Sequence, residues 1–125
     1  MNNYAVKIVP DQGASVIEAP DGLPLNWFYR QIDCSTIETV RPDGLPDGLL
    51  MVIDEMGKIK DRPINIVPSV WYGYFRHGDP IVGPVLVVRE ELTAEGLDLA
   101  GLNKELADEI ALAVNGWNSD EEEDD

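Results

Sequence analysis

Lys58, Lys60 and Arg62 alternate along the chain. On an extended strand, residues two apart project from one face, so these three cations would form a basic stripe. Arg76 adds a second guanidinium, and Asn65 and Tyr72 add an amide and a phenol. Together they have the chemistry of an anionic-ligand site: arginine grips a phosphate through two parallel hydrogen bonds, and Asn65 or Tyr72 would read a base or sugar. Such a site binds without cleaving. The same pattern also serves an exposed edge strand whose lysines deter pairing with other chains.

Catalytic groupings are weaker. Arg76-His77-Gly78 has the triplet of the histidine phosphatases, but their chemistry needs a second histidine on the phosphate, and His77 is the only one. The preceding Trp71 to Phe75 reads as helix, which makes the triplet a helix end where cations offset the dipole. Cys34 and His77 would act as nucleophile and base only if the fold joined them; a lone cysteine at a helix end is a packing residue. Asp54 and Glu55 are adjacent, so on a strand they point to opposite sides. Pro-Asp-Gly-Leu starts at Pro20 and Pro42, and Pro46 opens a third copy, but this is turn chemistry without the alternating ligands of a calcium loop. No catalytic residue, metal site or cofactor is expected. Trp27 lies off the apolar stripe of its helix and Trp117 ends the last one, so both are candidate protein-interface residues.

The chain has 125 residues and a net charge of -15, from 24 acidic and 9 basic side chains. The last seven residues hold six carboxylates, and without them the body is still at -9. That charge argues against direct nucleic-acid binding, which depends on neutralising phosphates, and favours basic partners or, at the limit, mimicry of DNA. The length fits one domain, taken as residues 1–117 followed by a disordered acidic tail at 118–125. No apolar run reaches membrane-spanning length, the start lacks a secretion pattern, and a lone cysteine suits a reducing compartment. A cytoplasmic protein with no membrane association is expected.

The elements follow from periodicity. Tyr4 to Pro10 and Ser15 to Glu18 read as a hairpin. Leu25, Phe28, Tyr29 and Ile32 fall on one helical stripe. Ser35 to Val40 is a strand, and Leu49 to Ile53 is an apolar run that reads as the sheet centre. Asp54 to Gly57 turns the chain, with Gly57 at positive φ, into a returning strand over Lys58 to Asp61. Asn65 caps a helix from Ile66 to Arg76, with Val67, Val70, Trp71 and Tyr74 on one side. Ile81 to Arg89 is a strand, and Leu92 to Gly101 allows no more than a helical turn. Asn103 caps a last helix, with Leu106, Ile110, Ala113, Val114 and Trp117 on one face and Asn115-Gly116 as its end; it covers the sheet or pairs two copies into a homodimer. The sum is an α+β domain: a mostly antiparallel sheet of five or six strands, two packed helices and a C-terminal helix.

Asp54-Glu55-Met56-Gly57-Lys58, Pro63-Ile64-Asn65 and Asp79-Pro80-Ile81-Val82-Gly83 before Val85 to Val88 resemble the family catalogued as domain of unknown function 3846, over roughly residues 4 to 90. The resemblance implies a small phage or mobile-element protein with an α+β fold, and it supplies no catalytic residues. The expected function is therefore a non-enzymatic accessory protein that binds a host or phage protein, inhibiting a defence or metabolic function. The alternative is a binder or sponge for a nucleotide-like signal, using Lys58, Lys60, Arg62, Asn65, Tyr72 and Arg76.

Overall fold

The computed structural model describes residues 3–123, without the side chains of Phe75 and of 117–123. The strands are β1 (Tyr4–Val9), β2 (Gly13–Glu18), β3 (Ile37–Val40), β4 (Leu49–Asp54), β5 (Val85–Thr93) and β6 (Gly96–Ala100). The helices are α1 (Leu25–Ile32), α2 (Ile66–Tyr72), α3 (Tyr74–His77) and α4 (Lys104–Glu123). All strand pairs are antiparallel, in the order β2-β1-β5-β4-β3, with β6 also on β5.

The period-two pleat sorts β5 between two cores. Val85 and Val87 join Val6, Ile8 and Met51 on the face covered by Val67 of α2 and by Ala107, Ile110 and Val114 of α4. Leu86 and Val88 join Ala5, Leu50 and Val52 on the face covered by Trp27, Phe28 and Ile32 of α1. Both faces are buried, which explains the unbroken apolar runs in β4 and β5. The α+β reading holds, in a helix–sheet–helix arrangement.

Several local expectations are corrected. The sheet centre is β5, with β4 beside it. Residues 92–101 complete a β5–β6 hairpin rather than a helical turn: Thr93 Oγ1 donates to the Gly96 carbonyl and accepts from Glu95 N–H, closing a tight turn. The helix after Asn65 breaks at Gly73, whose φ of 80° is left-handed, into α2 and α3. Trp27 is buried, edge-on to Phe28, while Leu25 is exposed; Phe28 and Ile32 of the expected stripe are in the core, which widens toward Trp27 rather than Leu25, so Trp27 is not on the surface. The last helix does not stop at Asn115-Gly116. Asn115 exchanges two hydrogen bonds with the backbone of Ala14, fastening α4 to β2. Asn103 caps α4 as expected, its Oδ1 accepting from Leu106 N–H at 2.8 Å.

The returning strand over 58–61 does not form. Residues 55–61 wind in turns, with Lys60 N–H bonded to the Met56 carbonyl and Arg62 N–H to the Gly57 carbonyl. Gly57 is not at positive φ; a Cβ there would lie 3.0 Å from Val82 Cγ2, so the residue is small because the loop is close. The reversal uses Asp61 instead, at φ 56°.

Candidate functional site

Asp54 ends β4 with its side chain buried. Its Oδ1 accepts from Met56 N–H at 2.9 Å, and its Oδ2 accepts from Lys60 Nζ at 2.8 Å and Arg62 Nε at 2.9 Å. Winding rather than extension of residues 55–61 is what brings both cations back to one carboxylate. Burial alone would raise the pKa of Asp54, but the hydrogen bonds from Lys60, Met56 and Arg62 outweigh it and hold the carboxyl below its ordinary range. Arg62 also donates to the Asp33 carbonyl at the end of α1, so it ties β4 to α1 as well as neutralising Asp54.

This clamp decides the fate of the expected basic stripe. Lys60 and Arg62 are consumed by Asp54, Lys58 pairs with Asp79 at 3.2 Å, and Arg76 pairs with Asp43. Asn65 occupies the N-cap of α2, but its side chain does not cap the helix: buried, it donates to the carbonyls of Ile8 and Gly83 at 2.9 Å each. Tyr72 stacks on His77, ring centroids 4.3 Å apart. The six residues thus divide among four places. Lys58 and Tyr72 share one cleft, Lys60 and Arg62 share the clamp, Asn65 is internal, and Arg76 belongs to the 41–48 loop contact. Trp117 has its side chain outside the described residues, as does the 118–125 segment.

Gly83 is where the clamp meets the β5 entry. Its φ is 77°, and a Cβ there would lie 2.6 Å from Arg62 Cδ. Arg62 is held at both ends and cannot swing away, so Gly83→Ala is expected to destabilise the fold by about 2 kcal/mol. Urea unfolding of the two chains checks it, and an unchanged midpoint would mean that Arg62 is not fixed there.

Cys34 and His77 do not form a pair. Cys34 packs with the α1-side core, whereas Tyr72, on which His77 stacks, packs with the opposite core. Burial pushes the Cys34 thiol up, and the charge of Asp54 pushes it further. The thiolate is the reactive form, so iodoacetamide at pH 7.5 is expected to alkylate Cys34 more slowly in the folded chain than in urea. Equal rates would contradict this environment.

The cleft that Lys58 and Tyr72 line has a volume of about 230 Å³ and lies between β3, the start of the 55–61 turns, the end of α2 and the 79–82 segment. Val40, Ile53 and Ile81 form apolar walls, and Glu38, Glu55 and Asp79 bring carboxylates. Glu38 and Val40 alternate with Ile37, which packs with the α1-side core, so both face the cleft. Glu38, Glu55 and Asp79 are the residues that sequence reasoning missed. Glu55 and Asp79 lay within motifs already singled out, but only the turn at 55–61 and the approach of 79–82 to β3 bring them together.

In comparison with known protein families, residues 1–114 match the family described as domain of unknown function (DUF3846). No curated protein and no solved structure matches the chain.

Proposed function

The chain belongs to the DUF3846 family, and from that premise we propose that it is a non-enzymatic accessory protein of phage or mobile-element type. It acts by binding a basic host or phage protein and so inhibits a defence or metabolic function. The observation that carries this reading is the disposition of charge. Among the described residues, seven of the nine basic side chains, all but Lys7 and Arg30, are engaged by carboxylates of the same chain. What faces a partner is therefore negative potential, which raises the encounter rate with positive surfaces and disfavours acidic ones. The same count removes support from a nucleotide-like ligand. Lys60 and Arg62 would have to abandon a buried carboxylate to grip a phosphate, and Asn65 has no free donor.

The test is capture from host lysate by the immobilised chain, with and without residues 118–125, at low salt and along a salt ramp. Exposed charges separated by more than about 10 Å are screened at 0.1 M salt and by about 3 Å at 1 M. A discrete basic protein that is retained at low salt and released by the ramp is expected. Recovery of no such protein would overturn the reading. A rise in melting temperature with a nucleotide, which binding to the folded state must produce, would return the ligand alternative.

A further inference from the structure

The cleft beside β3 combines three properties that belong together in recognition of a cationic side chain. Its walls are aliphatic, at Val40, Ile53 and Ile81, and its carboxylates, besides the Asp54 already held by Lys60 and Arg62, are Glu38, Glu55 and Asp79. Glu38 and Glu55 have no ion-pair partner among the described residues. Long cationic side chains lay their methylene stems on apolar surface and keep the charged head among polar groups, and this cleft has that division. The third property is the neighbouring backbone. β3 ends the sheet, paired only with β4 among the described strands, so its outer edge is free to take an extended segment.

We infer that the cleft receives an arginine or lysine side chain from an extended segment of a basic partner protein, with the stem on Val40, Ile53 and Ile81 and the charge between Glu38, Glu55 and Asp79. This rests on the protein-binding reading above and names where the partner is read. Lys58 has a definite part in it. Its bridge to Asp79 joins two side chains that are 53% and 69% exposed, and exposed bridges of this kind contribute little. In the free chain the Lys58 ammonium occupies the position that the incoming cation takes over. Removing Lys58 must therefore strengthen cation binding, whereas any anion site that uses Lys58 would be weakened.

The experiment titrates a capped peptide of alternating arginine and valine into the full chain at low salt. Calorimetry gives affinity, and amide NMR shifts locate the site. Glu38→Gln with Glu55→Gln is expected to weaken binding about tenfold, Lys58→Ala to tighten it, and the shifts to cluster at 37–40, 53–58 and 79–82. The same peptide with citrulline for arginine should bind at least tenfold more weakly. The glutamates and Lys58 are exposed, so these variants are expected to keep the fold, and circular dichroism checks it. Shifts elsewhere, unchanged affinity in the double variant, or weaker binding by Lys58→Ala would each overturn the assignment. Spermidine binding as tightly as the peptide would overturn the claim that a protein segment is the occupant. In the lysate capture, a partner held equally by the double variant would sink the cleft but not the protein-binding reading, whereas no partner for the unaltered chain would sink the latter.

Discussion

Asp54→Asn is expected to lose about 3 kcal/mol of folding stability at pH 7, because it leaves two cations facing a neutral amide in a site built around a buried carboxylate. The asparagine keeps the shape and its carbonyl can still accept from Met56 N–H, so the loss isolates the charge. Lys60 is 40% exposed and can turn toward water, whereas Arg62 is 17% exposed and held by the Asp33 carbonyl. Arg62 therefore bears most of the cost. The pH dependence has a definite sign. The folded pKa of Asp54 lies below the unfolded 3.8, since the hydrogen bonds from Lys60, Met56 and Arg62 overcome the burial that opposes ionisation. A carboxyl of this kind contributes its full stability above the unfolded value and loses it as pH falls through the folded one. Urea unfolding should show a constant gap between the two chains from pH 7 to about pH 5, narrowing only below 3.8. A gap under about 1 kcal/mol, or one that does not narrow in acid, would mean that the clamp is no more than a surface ion pair.

The same clamp shows where the sequence was readable and where it was not. Periodicity carries the elements with a packed face: β1 and β2 follow from alternation, β4 from its unbroken apolar run, and Ile110 and Val114 of α4 from helical spacing, although Ala113 is exposed and Ala107 and Ala111 pack in its place; Asn103 caps α4 with the bond its type and position imply. Lys58, Lys60 and Arg62 also alternate, but alternation there is not a strand signal. The partner that selects the conformation is Asp54, and a turn that returns two cations to it leaves no burial pattern to read. Asn65 is similar. Its type and place correctly mark the helix start, yet its side chain satisfies carbonyls from Ile8 and Gly83, 57 and 18 residues away, which no local rule contains. Trp27 failed for a different reason: α1 is only eight residues long, and over two turns the Phe28 and Ile32 stripe can be completed by Trp27 or by Leu25, a choice that packing against the sheet makes.

The candidate site was legible only in fragments for the same reason. Cation spacing pointed to a ligand, but the sequence does not say that Lys58, Lys60, Arg62 and Arg76 are already held by Asp79, Asp54 and Asp43, with Asp54 shared by two of them. Once those pairs are assigned, the carboxylates of the cleft that have no ion pair among the described residues are Glu38 and Glu55, and the ligand proposed for this part of the chain changes from an anion to a cation.

Asn65→Asp is expected to be more damaging than the Asp54 change, by about 4 kcal/mol in total at pH 7, although the two side chains are nearly isosteric. The Asn65 amide donates to the carbonyls of Ile8 and Gly83 at 2.9 Å each. A carboxylate donates nothing, so both carbonyls lose their partner and a negative charge is buried against them. The backbone bonds of this position, from Asn65 N–H to Ile81 and from Ser69 to the Asn65 carbonyl, do not depend on the side chain and persist. Desolvation and two facing carbonyls raise the folded pKa of the introduced carboxyl above its unfolded value of about 4. The charge penalty is thus complete at pH values above the raised folded pKa, shrinks as pH falls toward about 4, and is absent below it. Asn65→Ala removes the donors without adding the charge and should lose about 2 to 3 kcal/mol with no such pH dependence. A narrowing gap between pH 7 and 5 for Asn65→Asp, absent for both Asn65→Ala and Asp54→Asn, is the signature of a buried donor amide. Identical pH profiles for the two Asn65 variants would show that water reaches the site. Because Asn65 and Ser69 fix the 81–83 segment to β1 and α2, either Asn65 variant should also speed amide exchange at 79–83, the wall of the cleft, before the sheet itself opens.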